Sequence, residues 1–72
     1  MNENILKGKW HQAAGAIKKQ WGRLTDDDLR QIDGETERLF GKLQERYGIA
    51  REEAERRYRE FEKSLENDGD GH

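Results

Sequence analysis

The chain contains neither cysteine nor proline, and few of its residues can form a core. The lack of cysteine excludes disulfide bonds, thiolate metal sites and a cysteine nucleophile. The lack of proline leaves glycine as the main residue that interrupts helices. Only 31% of the 72 residues are hydrophobic, whereas 42% are charged. These values predict one small domain with a small apolar core.

No stretch of the chain is both long and apolar. It has no run of roughly 18 apolar residues that would span a bilayer, and its first residues lack the apolar segment of a secretory signal. We therefore expect a soluble cytoplasmic protein. The net charge of -2 conceals a polarity, because residues 1–24 carry five Lys/Arg and one acidic residue, whereas residues 25–72 carry nine and fifteen. The two parts have net charges of +4 and -6.

Six of the eight glycines follow a regular spacing. They form two triplets with a seven-residue step, and the second triplet begins 26 positions after the first. The triplets are Gly8, Gly15 and Gly22, followed by Gly34, Gly41 and Gly48. This repetition predicts a duplicated structural unit.

Helical periodicity dominates the first unit. Apolar residues at steps of three and four predict one amphipathic helix over roughly residues 4–21. Its apolar stripe consists of Leu6, Trp10, Ala13, Ala14, Ile17 and Trp21. Gly22 is expected to end this helix in the left-handed conformation, and Leu24 is expected to fold back onto its last turn.

Thr25 is the clearest helix start in the chain. Its hydroxyl suits an N-cap, the acidic run Asp26–Asp28 complements the helix dipole, and Asp28 at the third helical position completes a capping box. The second helix, with Leu29 and Ile32 inward, is expected to end at Asp33-Gly34.

A third helix is predicted to run to about Tyr47, where Gly48 closes it and Ile49 takes the place of Leu24. Its inward residues are Leu39, Phe40, Leu43 and Tyr47. Ala50 then occupies the cap position of a fourth helix. The inward residues of that helix are Ala54, Tyr58, Phe61 and Leu65.

These elements predict an all-α fold of four short helices. They form two helix-turn-helix hairpins, which pack orthogonally because the second helix is too short to run the length of the first. The domain is expected to cover residues 1–66. Residues 67–72 contain no apolar side chain and are expected to form a disordered tail.

The sequence offers little for catalysis, metal binding or a cofactor. Its only histidines are His11, on the polar side of the first helix, and His72. Successive carboxylates of Asp26–Asp28 point about 100° apart on a helix, which favours capping over a cation site. The Asp68–Gly71 segment resembles the start of a calcium loop but lacks the bidentate glutamate. We therefore expect no enzyme, no cofactor and no metal.

Trp10 and Trp21 lie almost on one line of the first helix, which also carries several lysines. They could stack on a single-stranded nucleic acid, with the lysines contacting phosphates. The preferred interpretation is that both tryptophans lie in the core, because a domain this small needs large aromatic side chains to fill its interior.

Gly8, Gly15 and Gly41 project opposite the apolar stripes. A glycine inside a helix costs about 1 kcal/mol relative to alanine, and on that face it brings no core elements together. Two interpretations remain open: a second surface that a partner approaches closely, or a loosely ordered helix that tolerates glycine. The candidate interaction surface comprises Gly8, Lys9, Gly15, Lys18, Lys19 and Gly41.

Two blocks of the sequence are distinctive: WG-x-LTDDDL, from Trp21 to Leu29, and GKLQERYG, from Gly41 to Gly48. Together with the residues around them, over about residues 4–62, they resemble the CsbD-like family of small bacterial stress proteins. Ala50 departs from it, because the family often has a capping serine there. The resemblance implies a small hydrophilic cytoplasmic protein associated with general stress, with paired helical hairpins similar to SAM-like domains. It implies no catalytic residue, cofactor or ligand.

The expected function is therefore that of a non-enzymatic stress-response protein that contacts a macromolecular partner or itself. One alternative is a hydrophilin-like protectant under osmotic or desiccation stress, since the mean hydropathy is -1.37. A second alternative is weak nucleic-acid binding through the basic first helix. We expect a monomer, with self-association left open.

Overall fold

This computed structural model contains five helices within the residues that it describes. The structure describes the backbone of residues 3–70 and the side chains of residues 6–64. The helices are α1 (Glu3–Gly8), α2 (Trp10–Gln20), α3 (Asp26–Ile32), α4 (Thr36–Tyr47) and α5 (Arg51–Asp70). Every regular element within residues 3–70 is helical, which confirms the all-α fold class. The duplicated hairpin arrangement is not confirmed.

The predicted first helix is divided in two at Lys9. This residue has φ -111° and ψ 20°, and its N–H donates to the Leu6 carbonyl at 3.2 Å. Its own carbonyl then accepts from Ala13 N–H at 2.7 Å, which begins α2. The prediction of one continuous helix over residues 4–21 was wrong, because α1 bends to pack beside the corner at Gly34 while Leu6 stays buried.

Of the residues predicted to cap or close a helix, Thr25, Gly34 and Gly48 do so, and Gly22 does not. The Thr25 hydroxyl accepts from Asp28 N–H, and the Asp28 carboxylate accepts from Thr25 N–H, both at 3.0 Å, so the capping box is confirmed. Gly34 (φ +81°) and Gly48 (φ +63°) lie in the left-handed region, after α3 and α4 respectively. Gly22 does not, because Trp21 itself ends α2 with φ -121°. Leu24 nevertheless folds back and is buried, as predicted.

The core is formed by apolar residues from all five helices and from the corner at Leu24. The buried residues are Leu6, Ala13, Ile17, Trp21, Leu24, Leu29, Ile32, Leu39, Phe40, Leu43, Ala54, Tyr58 and Phe61. Trp21 is only 3% exposed and packs on Phe61 with ring centroids 5.1 Å apart. Trp10 is half-buried at the edge of the core. The core interpretation therefore holds fully for Trp21 and partly for Trp10.

The domain boundary at residue 66 and the disordered tail of residues 67–72 stay predictions. α5 is assigned from Arg51 to Asp70, and residues 71–72 lie outside the described residues. The predicted inward position of Leu65 and the predictions for the side chains of Asp68, Asp70 and His72 also lie outside them. Within the described residues, no helix combines the length and the apolarity needed to cross a membrane.

Ala50 occupies the N-cap of α5, since its carbonyl accepts from Ala54 N–H at 3.0 Å. Alanine has no side-chain oxygen to satisfy the free N–H groups of the first turn. We expect Ala50→Ser to raise the free energy of unfolding by about 1 kcal/mol, as measured by urea unfolding. Ala50→Val, which also lacks a capping oxygen, should give no such gain, and an equal gain in both variants would contradict a capping effect.

Candidate interaction surface

The six residues of the predicted surface are all exposed and lie on two helices and at one junction between helices. Gly8 and Lys9 lie at the junction of α1 and α2. Gly15, Lys18 and Lys19 lie on one face of α2, because they are three and four residues apart. Gly41 lies on α4, which packs mainly on α3 and α5. The structure therefore groups the α2 residues and leaves Gly41 on a separate element.

None of the three helical glycines is required by packing within the chain. A Cβ atom added at Gly8, Gly15 or Gly41 would meet no other atom within 4 Å. The opposite holds at Gly34, where the added Cβ would lie 3.1 Å from the Cα of Lys7. The fold thus explains Gly34 and leaves Gly15 and Gly41, which lie inside helices, without an internal reason.

Substitution of Gly15 or Gly41 by alanine is expected to stabilise the fold. Each change should raise the free energy of unfolding by a few tenths to about 1 kcal/mol, because alanine loses less backbone entropy in a helix and the added methyl group has open space. Thermal and urea unfolding measure the effect. A loss of stability at either position would show that its face is not free.

The charge around Gly15 is uniformly basic along α2. The sequence from Asn4 to Thr25 contains no carboxylate side chain. The charge of Lys18 is compensated by Asp26 of α3, since Lys18 Nζ lies 2.5 Å from Asp26 Oδ1. Lys9 and Lys19 form no ion pair with any residue whose side chain is described. We call Lys9, Gly15, Lys18 and Lys19 the α2 basic surface.

Asp28 forms a buried ion pair that the sequence did not reveal. Its carboxylate is 1% exposed and receives two hydrogen bonds from Arg46 of α4, from Nε and Nη2, both at 2.9 Å. Lys42 Nζ adds a contact at 3.5 Å. Sequence reasoning assigned Asp28 to the capping box alone, since three successive acids gave no sign of which one faces inward. The pair joins α3 to α4 and has a structural role.

The ion pair makes the free energy of unfolding depend on pH. The two Arg46 hydrogen bonds, followed by that from the Thr25 backbone, hold the pKa of Asp28 well below its usual range. As the pH falls, Asp28 is therefore protonated in the unfolded chain before it is protonated in the folded chain. Its contribution to the free energy of unfolding is complete above the unfolded pKa of about 4 and is lost as the pH falls through the folded pKa.

We expect the difference in unfolding free energy between wild type and Asp28→Asn to shrink as the pH falls from about 6 to about 2.5. Urea unfolding at several pH values measures it. The comparison isolates Asp28 from exposed carboxylates whose pKa is also lowered, such as Asp26 and Glu35 beside their lysine partners. A difference that stays constant with pH would contradict this account.

A groove of about 580 Å³ lies between the end of α2, the end of α4 and the middle of α5. Trp21, Tyr47 and Phe61 contribute its aromatic part. Its charged residues neutralise one another, because Glu53 accepts hydrogen bonds from Arg56 at 2.7 Å and Arg57 at 2.8 Å. No buried polar side-chain atom in the described part lacks a partner, and residues 6–64 contain no cluster suited to a metal ion.

Comparison with known proteins identifies the family of the chain. The family model described as CsbD-like matches residues 4–56. The UPF0337 protein PA4738 of Pseudomonas aeruginosa is 55% identical over 90% of this chain and 100% of its own length. The UPF0337 protein XAC4007 of Xanthomonas axonopodis pv. citri is 52% identical over 94% of this chain and 99% of its own length.

A relative with lower identity also matches over most of both chains. The UPF0337 protein YjbJ of Escherichia coli is 46% identical over 88% of this chain and 91% of its own length. The match to the family model covers both blocks on which the resemblance was based, from Trp21 to Leu29 and from Gly41 to Gly48. The chain therefore belongs to the CsbD-like family of small bacterial proteins.

Proposed function

We propose that this protein is a non-enzymatic general stress-response protein of the bacterial cytoplasm, which acts by surface contacts with a macromolecular partner or with another copy of itself. The association with stress follows from the CsbD-like resemblance. One observation carries the mode of action: Gly8, Gly15 and Gly41 are exposed, and a Cβ on any of them would meet nothing in the chain. Gly15 and Gly41 lie inside helices, where each glycine costs about 1 kcal/mol of helix stability, and this cost is offset if another molecule approaches the backbone there.

The distribution of reactive groups supports action by contact. His11 is exposed on α2 and has no hydrogen-bond partner within the described residues. The acidic side chains of the groove are engaged by arginines of the same helix, at the three- and four-residue spacings of ordinary helix pairs. Neither arrangement supplies the nucleophile with an adjacent base that covalent catalysis uses.

The flexible protectant is the less favoured alternative. The radius of gyration of 11.4 Å matches the value of about 11 Å expected for a folded chain of this length. A protectant that works while partly unfolded would not need the ordered core around Ile17 and Leu39. A cooperative thermal transition by far-UV circular dichroism, with dispersed tryptophan NMR signals, would argue against it.

Nucleic-acid binding through the first two helices is weakened by two contacts. Trp21 is buried against Phe61 and is unavailable for stacking on a base. Lys7 pairs with Glu35 at 2.7 Å and Lys18 with Asp26, which reduces the positive charge offered to phosphates. Titration of single-stranded and duplex DNA at low salt tests this alternative, and no binding there would remove it.

The proposed function is tested by affinity capture from stressed bacterial cells. Wild type is compared with a Gly15→Gln/Gly41→Gln variant, whose uncharged side chains fit the open space but block close approach. The matched control is Gly15→Ala/Gly41→Ala, which stabilises the same helices with a smaller obstruction. We expect a specific partner to be lost with glutamine and retained better with alanine. Equal capture by all three folded proteins would contradict a contact at these glycines.

A further inference from the structure

One exposed helix face of the chain is basic and centred on a glycine. Within the α2 basic surface, Gly15 and Lys19 are four residues apart, and His11 lies four residues before Gly15. Residues at this spacing lie one above the other on a helix, so these three share one face of α2. All three are exposed, and neither His11 nor Lys19 has a partner among the described side chains. We call these three residues the Gly15 face.

α4 carries an acidic face that is also centred on a glycine. Glu37 lies four residues before Gly41 and Glu45 lies four residues after it, so a carboxylate lies one turn to either side of the glycine. The side chains of Glu37 and Glu45 are 71% and 63% exposed. Gly15 and Gly41 also occupy equivalent positions in the two glycine triplets, 26 residues apart. We call Glu37, Gly41 and Glu45 the Gly41 face.

The basic residues of α4 all contact α3. Arg38 donates to the Gln31 carbonyl at 3.0 Å. Arg46 donates to the buried Asp28 carboxylate, and Lys42, whose side chain is 18% exposed, lies 3.5 Å from the same group. Because these three cations lie against α3, the exposed side of α4 around its glycine presents carboxylates.

Two cations do reach the Gly41 face, and each is shared between two carboxylates. Arg51 of α5 contacts both Glu37 and Glu55 at 2.8 Å. Lys42 contacts Glu45 at 3.6 Å and also the buried aspartate of α3. An ionised carboxylate has about four lone-pair sites, and most of each glutamate side chain on this face is exposed. Both glutamates can therefore accept hydrogen bonds from a further donor.

The two faces do not meet within one chain. A Cβ atom built on either central glycine meets no described atom within 4 Å. The opposite side of α2 is buried through Ala13 and Ile17, and the opposite side of α4 is buried through Leu39 and Leu43, in the same core. Both faces therefore point away from that core, and only another molecule can bring them into contact.

We propose that the Gly15 face of one copy binds the Gly41 face of a second copy. This inference rests on the proposed function, because it names a second copy as the macromolecular partner. Charge complementarity selects this occupant. With the two glycines opposed, a glutamate of the Gly41 face lies opposite Lys19 and another opposite His11, whether the helices run parallel or antiparallel. Lys19 donates from its ammonium group, and an imidazole has an N–H to donate in either protonation state.

The glycines allow the charged groups to meet. Packed helices have axes about 8–10 Å apart, depending on the side chains at the contact. With glycine on both helices at the crossing point, the axes can approach to the lower part of this range. A longer side chain at either glycine would hold the two faces apart and separate the donors from the carboxylates.

The contact is weak and sensitive to salt. Exposed ion pairs contribute little individually, and their attraction is screened beyond about 10 Å at 0.1 M ionic strength. Because each copy carries both faces, the contact either closes into a symmetric pair or continues as an open chain. Either assembly requires the same two faces.

Sedimentation velocity of the full chain tests the proposal. At about 10 mM salt we expect the weight-average sedimentation coefficient of wild type to rise with protein concentration, and at about 300 mM salt we expect the rise to disappear. His11→Glu/Lys19→Glu makes the Gly15 face acidic, and Glu37→Lys/Glu45→Lys makes the Gly41 face basic. Each variant alone is expected to remain monomeric at low salt, whereas an equimolar mixture of the two is expected to associate.

Two matched controls separate this contact from general attraction. Glu52→Lys/Glu60→Lys changes the net charge by the same amount as Glu37→Lys/Glu45→Lys, but at exposed positions of α5 outside both faces, and it should associate as wild type does. Gly15→Gln leaves the charge unchanged and should abolish association. Gly22→Gln, at an exposed corner where an added Cβ also meets nothing within 4 Å, should not. Circular dichroism checks that each variant remains helical.

Two results would overturn the proposal: a wild type that stays monomeric at low salt, or equal association of Gly15→Gln and Gly22→Gln. Either result would exclude a second copy at these faces. The capture of a different protein through Gly15 and Gly41 would remain open to the affinity experiment in stressed cells, so the failure of this contact is distinguishable from the failure of the proposed function.

Discussion

Replacing Arg46 with alanine is expected to lower the free energy of unfolding by about 2–4 kcal/mol. The change leaves the Asp28 carboxylate at 1% exposure without its two guanidinium hydrogen bonds. Lys42, 3.5 Å away, and the Thr25 N–H remain as partial compensation. Arg46 itself is about two-fifths exposed, which places the effect toward the lower part of the range measured for fully buried pairs.

The matched control for this prediction is Arg30→Ala. Arg30 lies on α3 and contacts Asp27 at 3.8 Å, with both side chains more than 70% exposed. Its loss should change stability by less than about 0.5 kcal/mol. Arg46→Lys should be intermediate, because an ammonium group keeps the charge but not the two-pronged geometry. Urea unfolding at neutral pH measures all three, and similar losses for Arg30→Ala and Arg46→Ala would contradict a special role for the buried pair.

Gly34→Ala is expected to destabilise the protein by about 2–4 kcal/mol, through two separate effects. The backbone at Gly34 has φ +81°, which L-residues rarely adopt. The new methyl group would also lie 3.1 Å from the Cα of Lys7, so α1 would have to move away from the corner. The salt bridge between Lys7 and Glu35 crosses the same contact and would be strained with it.

A series of glycine substitutions separates the two effects. Gly48 shares the left-handed backbone, with φ +63°, but a Cβ there meets nothing within 4 Å. Gly48→Ala should therefore cost only the conformational part, about 1–2 kcal/mol. Gly15→Ala, in a helix and in open space, should have the opposite sign. If Gly34→Ala and Gly48→Ala lowered the urea midpoint by the same amount, the contact with Lys7 would contribute nothing to the loss of stability.

Features set by neighbouring residues could be read from the sequence. The capping box at Thr25 and the left-handed glycine after α4 depend on side chains and backbone within a single turn, so spacing alone locates them. The break at Lys9 follows Gly8, but nothing in the sequence distinguishes Gly8 from Gly15, which lies inside α2, because the break accompanies packing of α1 against a corner 25 residues away. Gly22 was misassigned for a related reason: once Leu24 is buried, Trp21 ends the helix without a left-handed residue.

The candidate surface also combines features that the sequence predicts with features that depend on distant parts of the fold. Helical projection predicted that Gly8, Gly15 and Gly41 face away from the core, and all three are exposed. It could not predict that a Cβ on each would find open space, since that depends on every other helix. The partner of Asp28 was likewise out of reach, because Arg46 lies 18 residues further along the chain and on another helix.

The position of Asp28 couples two events in folding. Its carboxylate both caps the first turn of α3 and holds Arg46 of α4. A seven-residue helix does not persist alone in water, so α3 gains its cap in a fixed geometry only when α4 is docked. The backbone amides of these two helices should therefore lose their protection from hydrogen exchange together, as one cooperative unit.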